Sequence, residues 1–104
     1  MIKELTQDNF TEVIKSQKPI MVDFWASWCG PCRMLSPTID VLSEEYEEQI
    51  AVGKVNVDEQ GALAAQFGIV SIPTVILFKD GREAKRIIGV HDADDYRDEI
   101  ERLL

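Results

Sequence analysis

The sequence predicts an α/β fold in which helices pack against a central mixed β-sheet of about five strands. Apolar runs typical of strands alternate along the chain with segments of helical periodicity. An Asp-Gly pair separates the last two apolar runs and indicates an antiparallel hairpin. An amphipathic helical segment follows that hairpin. Together these features favour an α/β sandwich of one domain, residues 1–104, with about four helices.

The first half of the chain predicts two strands, each followed by a helix. In chain order these elements cover residues 2–5, 8–16, 20–26 and about 29–48. The first helix places Phe10, Val13 and Ile14 on one face, and the strand after it is rich in strand formers. The second helix has apolar residues at spacings of four, three and four, which gives it one buried face. Pro37 lies within this helix, so we expect a kink there.

The second half predicts a strand, a short helix, a hairpin and a final helix. These elements cover residues 50–57, 59–67, 74–79 and 83–90, followed by a helix after Asp92. Gly68 is typical of a helix end. Asp80 and Gly81 form the turn of the hairpin, because both residue types tolerate the backbone angles of a two-residue connection. Asp92 is a good N-cap, and an apolar stripe at helical spacing follows it.

The charge balance argues against two classes of partner. Eleven Lys and Arg oppose nineteen Asp and Glu, which gives a net charge of −8. Nucleic-acid binding relies on a basic surface, and an anionic membrane would repel this chain. The acidic surface favours solubility and a monomer instead.

The sequence also carries no visible targeting or spanning segment. The N-terminus lacks the basic patch and apolar run of a secretory signal. The uncharged stretch 60–78 is interrupted by Gly61, Gly68 and Pro73, which does not suit a spanning helix. We therefore expect a cytoplasmic protein.

The two cysteines, Cys29 and Cys32, point to chemistry rather than architecture. A secreted disulfide scaffold would carry more than two. A bridge between them would add only about 2 kcal/mol before strain, because the loop it closes is very short. Residues three apart on a helical turn face the same side and can bridge. The expected role of the pair is therefore reversible redox chemistry.

The predicted helix start favours an anionic sulfur at Cys29. Unpaired backbone N–H groups and the macrodipole both favour a negative charge there. The dipole contributes only about 0.3–1 kcal/mol, so a thiolate also needs direct hydrogen bonds. Pro31 suits the first turn because its missing N–H is not needed.

Zinc binding is the competing interpretation of a C-x-x-C pair. A closed structural zinc site needs four ligands. This chain offers two cysteines and one histidine, His91, about sixty residues away. Only a dimer could complete such a site, and we predict no metal.

The residues around the cysteines resemble the active site of the thioredoxin family. They are the segment 24–32 (FWASWCGPC), the segment 71–74 (SIPT) and the segment 78–81 (FKDG). The match extends from Phe10 to Gly89, and the length fits single-domain members. The resemblance implies the thioredoxin fold and dithiol–disulfide chemistry, with no cofactor beyond the redox-active Cys29–Cys32 disulfide.

The resemblance implies roles for individual residues. Cys29 would attack a substrate disulfide and form a mixed disulfide, which Cys32 would resolve. We expect Cys29 to be the more exposed of the two, because it lies nearer the helix terminus. Gly30 and Pro31 between them would support the site.

Asp23 interrupts an apolar run that should form a central, covered strand. Burial without a partner would raise the pKa of its carboxyl. The resemblance implies that Asp23 is the general acid/base for Cys32. Lys54 matches the family lysine that neighbours this carboxyl, although a solvated charge on a strand is an equally good interpretation.

The resemblance also predicts a cis bond before Pro73, packed against the two cysteines. Pro73 would expose the backbone of Ile72 for pairing with an extended substrate segment and would keep metal ions from the thiols. The candidates for a shallow apolar docking surface are Trp28, Gly30, Pro31, Val57, Ile72 and Ile88. A core role fits Val57 and Ile88 equally well.

The leading functional hypothesis is a protein-disulfide reductase that a thioredoxin reductase re-reduces and that acts on disulfide-containing client proteins. The chain has no G-x-G-x-x-G fingerprint and so no dinucleotide site of its own. A disulfide oxidase or isomerase is a second hypothesis, against which Gly30 and Pro31 argue. The alternative from another class is a structural or regulatory subunit that acts independently of its thiols.

Overall fold

The computed structural model describes residues 1–104 and contains five strands and four helices. In chain order these are β1 (Ile2–Glu4), α1 (Phe10–Ile14), β2 (Ile20–Trp25), α2 (Gly30–Glu45), β3 (Ala51–Asn56), α3 (Gly61–Gln66), β4 (Thr74–Lys79), β5 (Arg82–Ile88) and α4 (Ala93–Leu103). Every predicted element is present, so the α/β prediction is confirmed. No helix is both long enough and apolar enough to cross a membrane.

The five strands form one mixed sheet in the order β1-β3-β2-β4-β5. β3 pairs in parallel with both β1 and β2. β4 pairs antiparallel with both β2 and β5. β2 is therefore the middle strand, and the loop that leaves its carboxyl end begins at the centre of the sheet.

Side-chain alternation along β2 divides the core between the two faces of the sheet. Met21 packs in a cluster with side chains of α2 and α4, whereas Val22 and Phe24 pack in a cluster with side chains of α1 and α3. Successive strand residues point to opposite faces. Asp23 therefore lies on the same face as Met21, towards α2.

Two turns follow the sequence signals closely. Asp80 and Gly81 connect β4 to β5 with positive φ values of 55° and 78°, as a two-residue hairpin turn requires. Gly68 ends α3 with a φ of 61°. The N–H of Ile69 then bonds the carbonyl of Ala64 at 2.9 Å, which satisfies an end carbonyl of the helix.

Element boundaries differ from the predictions where backbone groups find other partners. α1 starts later than the predicted helix 8–16, because the N–H of Asp8 bonds the Thr6 hydroxyl at 3.2 Å. α2 ends at Glu45, because the regular i→i−4 bonds stop at the N–H of Tyr46 and the N–H of Glu47 bonds the carbonyl of Glu44, three residues back, at 3.5 Å. β5 ends at Ile88, before the predicted boundary, because the next residue has a positive φ of 87°.

The capping prediction for the last helix is correct in position only. Asp92 is the N-cap residue of α4, but its side chain makes no capping hydrogen bond. Its backbone carbonyl accepts from the N–H of Asp95 at 3.0 Å. The acidic residues Asp94 and Asp95 occupy the first turn, where the helix dipole favours negative charge.

Candidate active site

Cys29 and Cys32 lie where β2 leads into α2. Cys29 is the N-cap residue of α2, and Pro31 occupies its first turn. A disulfide joins the two cysteines, whose Cα atoms are 5.3 Å apart. The backbone N–H of Cys32 donates a hydrogen bond to the Cys29 sulfur at 3.1 Å. The helix start thus supplies the direct hydrogen bond that the dipole alone does not provide.

The expected difference in exposure between the cysteines is wrong for this disulfide form. Each is 4% exposed. The bond to Cys32 holds the Cys29 sulfur over the helix N-terminus, where it lies 3.8 Å from the carbonyl oxygen of Ile72. Trp25 and Val57 also pack against the pair. The covered position follows from these neighbours and could not be deduced from order in the helix.

Asp23 is a buried carboxyl, as predicted from its place in the central strand. It is 1% exposed, and its Oδ1 has no hydrogen-bond partner. Burial penalises the charged form and raises the pKa of Asp23 to about 6, although the positive charge of Lys54 opposes the rise. The carboxyl therefore exchanges a proton near neutral pH, which is the range useful to a general acid or base.

Lys54 lies beside Asp23 in the parallel pairing of β2 with β3. The two residues line a cavity of about 180 Å³, the inner cavity, together with Cys32, Ser36 and other side chains of the site. The ammonium of Lys54 donates to the Ser36 hydroxyl at 3.1 Å. Lys54 and Asp23 are neighbours, as predicted. The Lys54 side chain is half-buried rather than fully solvated.

Pro73 immediately precedes β4 and follows Ile72, which packs against the disulfide. The bond from Ile72 to Pro73 is cis, as the resemblance predicted, and Pro73 is buried. Its carbonyl accepts from the N–H of Gly89 at 2.8 Å. The hydroxyl of Thr74 donates to the carbonyl of Ser71 at 2.7 Å. These bonds fix the loop whose Ile72 carbonyl faces the Cys29 sulfur.

Comparison with known proteins gives the family. A family model described as thioredoxin matches residues 1–102. The chain belongs to the thioredoxin family. It is 45% identical over 100 residues to the thioredoxin of Alicyclobacillus acidocaldarius subsp. acidocaldarius, covering 96% of this chain and 95% of the relative. It is 43% identical over 105 residues to the thioredoxin of Rickettsia prowazekii (strain Madrid E), covering 100% of both chains.

A plant relative extends the comparison. The chain is 44% identical over 104 residues to a chloroplastic M-type thioredoxin of Spinacia oleracea. That match covers 99% of this chain and 58% of the relative.

Thioredoxin-family membership and the Cys29–Cys32 disulfide together make this chain a thiol–disulfide oxidoreductase. It is a dithiol–disulfide redox carrier, and its redox group is part of the protein itself. Thioredoxins work with two general classes of partner, a reductase that supplies electrons and proteins whose disulfides receive them.

The thioredoxin docking candidates differ in exposure, and two of them, Ile72 and Val57, pack against the disulfide. Trp28 is 68% exposed and Ile88 is 55% exposed. Pro31 is also exposed, whereas Gly30, Ile72 and Val57 are half-buried. Val57 packs against the cluster formed with α1 and α3 as well as against the cysteines. A core role therefore fits Val57 better than the exposed Ile88.

Trp28 has a partner that sequence reasoning missed. Its indole Nε1 donates to the Asp58 carboxylate at 2.8 Å, across to the loop after β3. Ser36 was missed as well, although its position four residues after Cys32 places both on one face of α2. That spacing was the available signal for Ser36, whereas no local pattern links Trp28 to Asp58.

Metal-ligating side chains are not gathered anywhere in this thioredoxin. No group of three or more His, Cys, Asp and Glu residues is placed to hold an ion. His91 lies between β5 and α4, where its ring contacts the Asp95 carboxylate at 3.1 Å and the Ile88 carbonyl at 2.9 Å. His91 lines an open groove between β5 and α4 that neither cysteine lines.

Proposed function

We propose that this chain is a general protein-disulfide reductase in which Cys29 attacks, Cys32 resolves and Asp23 carries a proton. The observation that carries the proposal is the arrangement at the start of α2. The disulfide lies at the helix N-terminus, and Cys32 lines the inner cavity together with the buried Asp23 carboxyl.

In the first step, the Cys29 thiolate attacks one sulfur of a client disulfide. A mixed disulfide forms between Cys29 and the client, and the other client sulfur leaves as a thiolate. The helix N-terminus and the N–H of Cys32 stabilise the attacking thiolate.

In the second step, Cys32 attacks Cys29 and releases the client. The Cys32 thiol passes its proton to the Asp23 carboxylate, and the thiolate so formed attacks the Cys29 sulfur. The bond between Cys29 and the client breaks, and two electrons have passed from the dithiol to the client disulfide. The inner cavity is large enough for a water molecule to relay the proton.

Client recognition uses the surface around the disulfide. An extended client segment pairs with the backbone of Ile72, while Trp28, Pro31 and Ile88 supply exposed contacts beside it. Gly30 has no side chain and so leaves room for the client backbone, and Val57 forms the apolar base of the docking surface. The half-buried Ile72, whose carbonyl oxygen lies 3.8 Å from the Cys29 sulfur, supports this arrangement.

The proposed partners and setting follow from reducing chemistry. A thioredoxin reductase re-reduces the Cys29–Cys32 disulfide, and disulfide-containing proteins are the clients. A cytoplasmic location fits, because cellular thiols keep that compartment reducing. The net charge of −8 favours a monomer, and residues 1–104 act as one domain.

The first test is the reduction potential of the Cys29–Cys32 pair, measured in defined thiol–disulfide buffers. A reductase requires a value below the glutathione poise of the cytosol, about −220 to −260 mV by extraction. A value near about −180 mV or above, typical of isomerases and oxidases, would overturn the reducing assignment.

The second test separates redox function from a thiol-independent role. A Cys32→Ser variant should accumulate a mixed disulfide with a client through Cys29, whereas Cys29→Ser should accumulate none. The double Ser variant should lose all biological activity. Full activity of that double variant would support the structural or regulatory alternative.

A further inference from the structure

Lys54 lines two neighbouring cavities that contain different carboxylates. On one side is the inner cavity, where the acidic group is Asp23. On the other side is an open groove of about 390 Å³, the outer groove, which Glu4 and Glu59 line together with Lys54, Trp25 and a second cation, Lys3. The ammonium of Lys54 could therefore face either set of carboxylates.

The intrinsic properties of a lysine side chain do not favour the inner position. A lysine side chain has a flexible stem and a strongly hydrated charge, both of which favour the more open side. The carboxylate of Asp23 is not within 4.0 Å of the Lys54 ammonium, so no direct ion pair holds it inward. A further contact is needed to keep the ammonium at the inner cavity.

Ser36 supplies that contact. Its hydroxyl oxygen accepts a hydrogen bond of 3.1 Å from the Lys54 ammonium. Ser36 is half-buried on α2 and lies one helical turn beyond Cys32, so both face the inner cavity. The hydrogen bond joins β3 to α2 and holds the ammonium on the side of Asp23.

We propose that Ser36 is a positioning residue that holds the Lys54 ammonium at the inner cavity, facing the carboxyl of Asp23. The proposal rests on the proposed role of Asp23 as the proton carrier for Cys32. Ser36 contacts neither a client nor the sulfurs in this scheme, and it acts only through Lys54.

The position of the Lys54 ammonium affects the pKa of Asp23, because few other charges face the inner cavity. Burial raises the pKa of Asp23, and Lys54 is the opposing influence. The other charged side chain of the cavity, Arg33, donates to the Ser27 carbonyl at 2.9 Å and is held at the surface. Tyr96 on α4 is neutral near pH 7, since its ordinary pKa of 10 is already well above that pH and burial raises it further, to about 12. Lys54 is therefore the cation that balances Asp23.

Removing the Ser36 hydroxyl should release Lys54 towards the outer groove. The attraction of Glu4 and Glu59 for the ammonium is then no longer opposed by the hydrogen bond from Lys54 to Ser36. Asp23 loses part of its favourable interaction while its burial is unchanged. Its pKa should therefore rise further in a Ser36→Ala variant.

The decisive experiment is a pH titration of the Asp23 carboxyl carbon by NMR in the oxidised protein. Ser36→Ala should raise the pKa of Asp23 by roughly 0.5 to 1 unit, a fraction of the effect of a close opposite charge. Ser36→Thr, which keeps a hydroxyl, should retain the wild-type value. Ser43→Ala is the matched control, because Ser43 is on the same helix and outside the inner cavity.

A double variant tests whether Ser36 acts through Lys54. Lys54→Met should raise the pKa of Asp23, and adding Ser36→Ala to that variant should cause no further rise. An additional rise would show that Ser36 acts on Asp23 by another route and would overturn the proposal. The proposal would also be overturned if Lys54→Met raised the pKa of Asp23 while Ser36→Ala left it at the wild-type value.

The reaction supplies the readout that separates the two proposals. In Ser36→Ala, the pH midpoint of client release from the mixed disulfide should move upward together with the pKa of Asp23. If the pKa moves and the midpoint does not, Ser36 positions Lys54 but Asp23 does not carry the proton. In that case the proposed role of Asp23 fails and the placement of Lys54 by Ser36 is supported.

Discussion

The backbone N–H of Cys32 donates a 3.1 Å hydrogen bond to the sulfur of Cys29. This bond makes the two cysteines unequal even though they are equally covered in the disulfide. Cys29 is the N-cap residue and faces the unpaired N–H groups of the helix start, whereas Cys32 lies within the first turn. Once the disulfide is reduced, a negative charge is favoured on Cys29 over Cys32.

The first prediction concerns alkylation of the reduced protein. Iodoacetamide should modify Cys29 at least about tenfold faster than Cys32 at neutral pH, because a hydrogen bond to a charged group contributes about 1.5–3 kcal/mol. Peptide mapping by mass spectrometry at short reaction times measures the ratio. The Cys32→Ser variant should keep the fast reaction and Cys29→Ser should lose it. Equal modification of both cysteines would contradict the asymmetry.

The second prediction is that Asp23→Asn stabilises the protein at pH 7. The native pKa of about 6 lies above the ordinary 3.8, so the native state binds the proton more tightly than the unfolded state does. Stability is therefore lost as the pH rises from about 4 to about 6, by about 3 kcal/mol in total. Asn at this position does not ionise, so the variant avoids that loss.

Urea unfolding of the oxidised proteins tests the effect of Asp23→Asn. The variant should be more stable than the wild type at pH 7 by up to about 3 kcal/mol, and the difference should vanish near pH 4. Asp40→Asn is the control, because Asp40 is exposed on α2 and its substitution should change little. A difference that is independent of pH would show that burial of the charge is not its cause.

The third prediction concerns Trp28, whose indole is anchored by Asp58 despite being 68% exposed. Asp58→Ala should free the indole and weaken client binding, with KM for a protein disulfide rising about 2- to 10-fold. This hydrogen bond to a carboxylate is exposed to solvent, which reduces its contribution to about 0.5–1.5 kcal/mol. Glu59→Ala is the control, since it removes the same charge from the same loop. Equal effects of both variants would assign the change to charge.

The fold could be predicted from the sequence because its signals are local. Apolar runs predicted the strands, and Asp80 with Gly81 predicted the antiparallel hairpin between β4 and β5. Boundaries were less predictable, because they depend on which partner each end group finds. The N–H of Glu47, for example, bonds the carbonyl three residues back instead of four, and α2 ends before the predicted boundary.

The site could be predicted only in part. The cysteine spacing and the burial of Asp23 follow from short stretches of sequence, and both are present in the structure. The contact of Ser36 with Lys54 joins residues 18 apart, and that of Trp28 with its carboxylate partner joins residues 30 apart. Such contacts depend on how helices and loops pack on the sheet, which no local pattern encodes.

The fourth prediction is a pH-dependent contribution of His91 to stability. Both ring nitrogens face acceptors, the Ile88 carbonyl and the Asp95 carboxylate, so only the doubly protonated ring donates to both. These two bonds raise the pKa of His91, with Asp95 and Asp92 adding favourable charge. The contribution is therefore fully present below about pH 6.5 and is lost as the pH rises through the higher native pKa.

Comparison of His91→Gln with the wild type in urea tests this contribution. The variant should be the less stable protein at about pH 5.5, and the difference should shrink as the pH rises through the native pKa of His91, above about 6.5. NMR of the imidazole protons gives the pKa directly. Parallel stability curves for the two proteins would contradict a charged ring in the native state.

The fifth prediction uses the close packing of β3 against the start of the fold. A Cβ at Gly53 would lie 2.5 Å from Cδ1 of Leu5, which is fully buried. Gly53→Ala should therefore destabilise the protein by about 1–3 kcal/mol in urea unfolding, because a filled core must shift to admit a methyl group. Gly61→Ala is the control, since nothing lies within 4 Å of its Cβ and helical Ala is favoured over Gly. It should leave stability unchanged or increase it by up to about 1 kcal/mol. Equal stability of the two variants would mean that Leu5 can move aside without loss of packing.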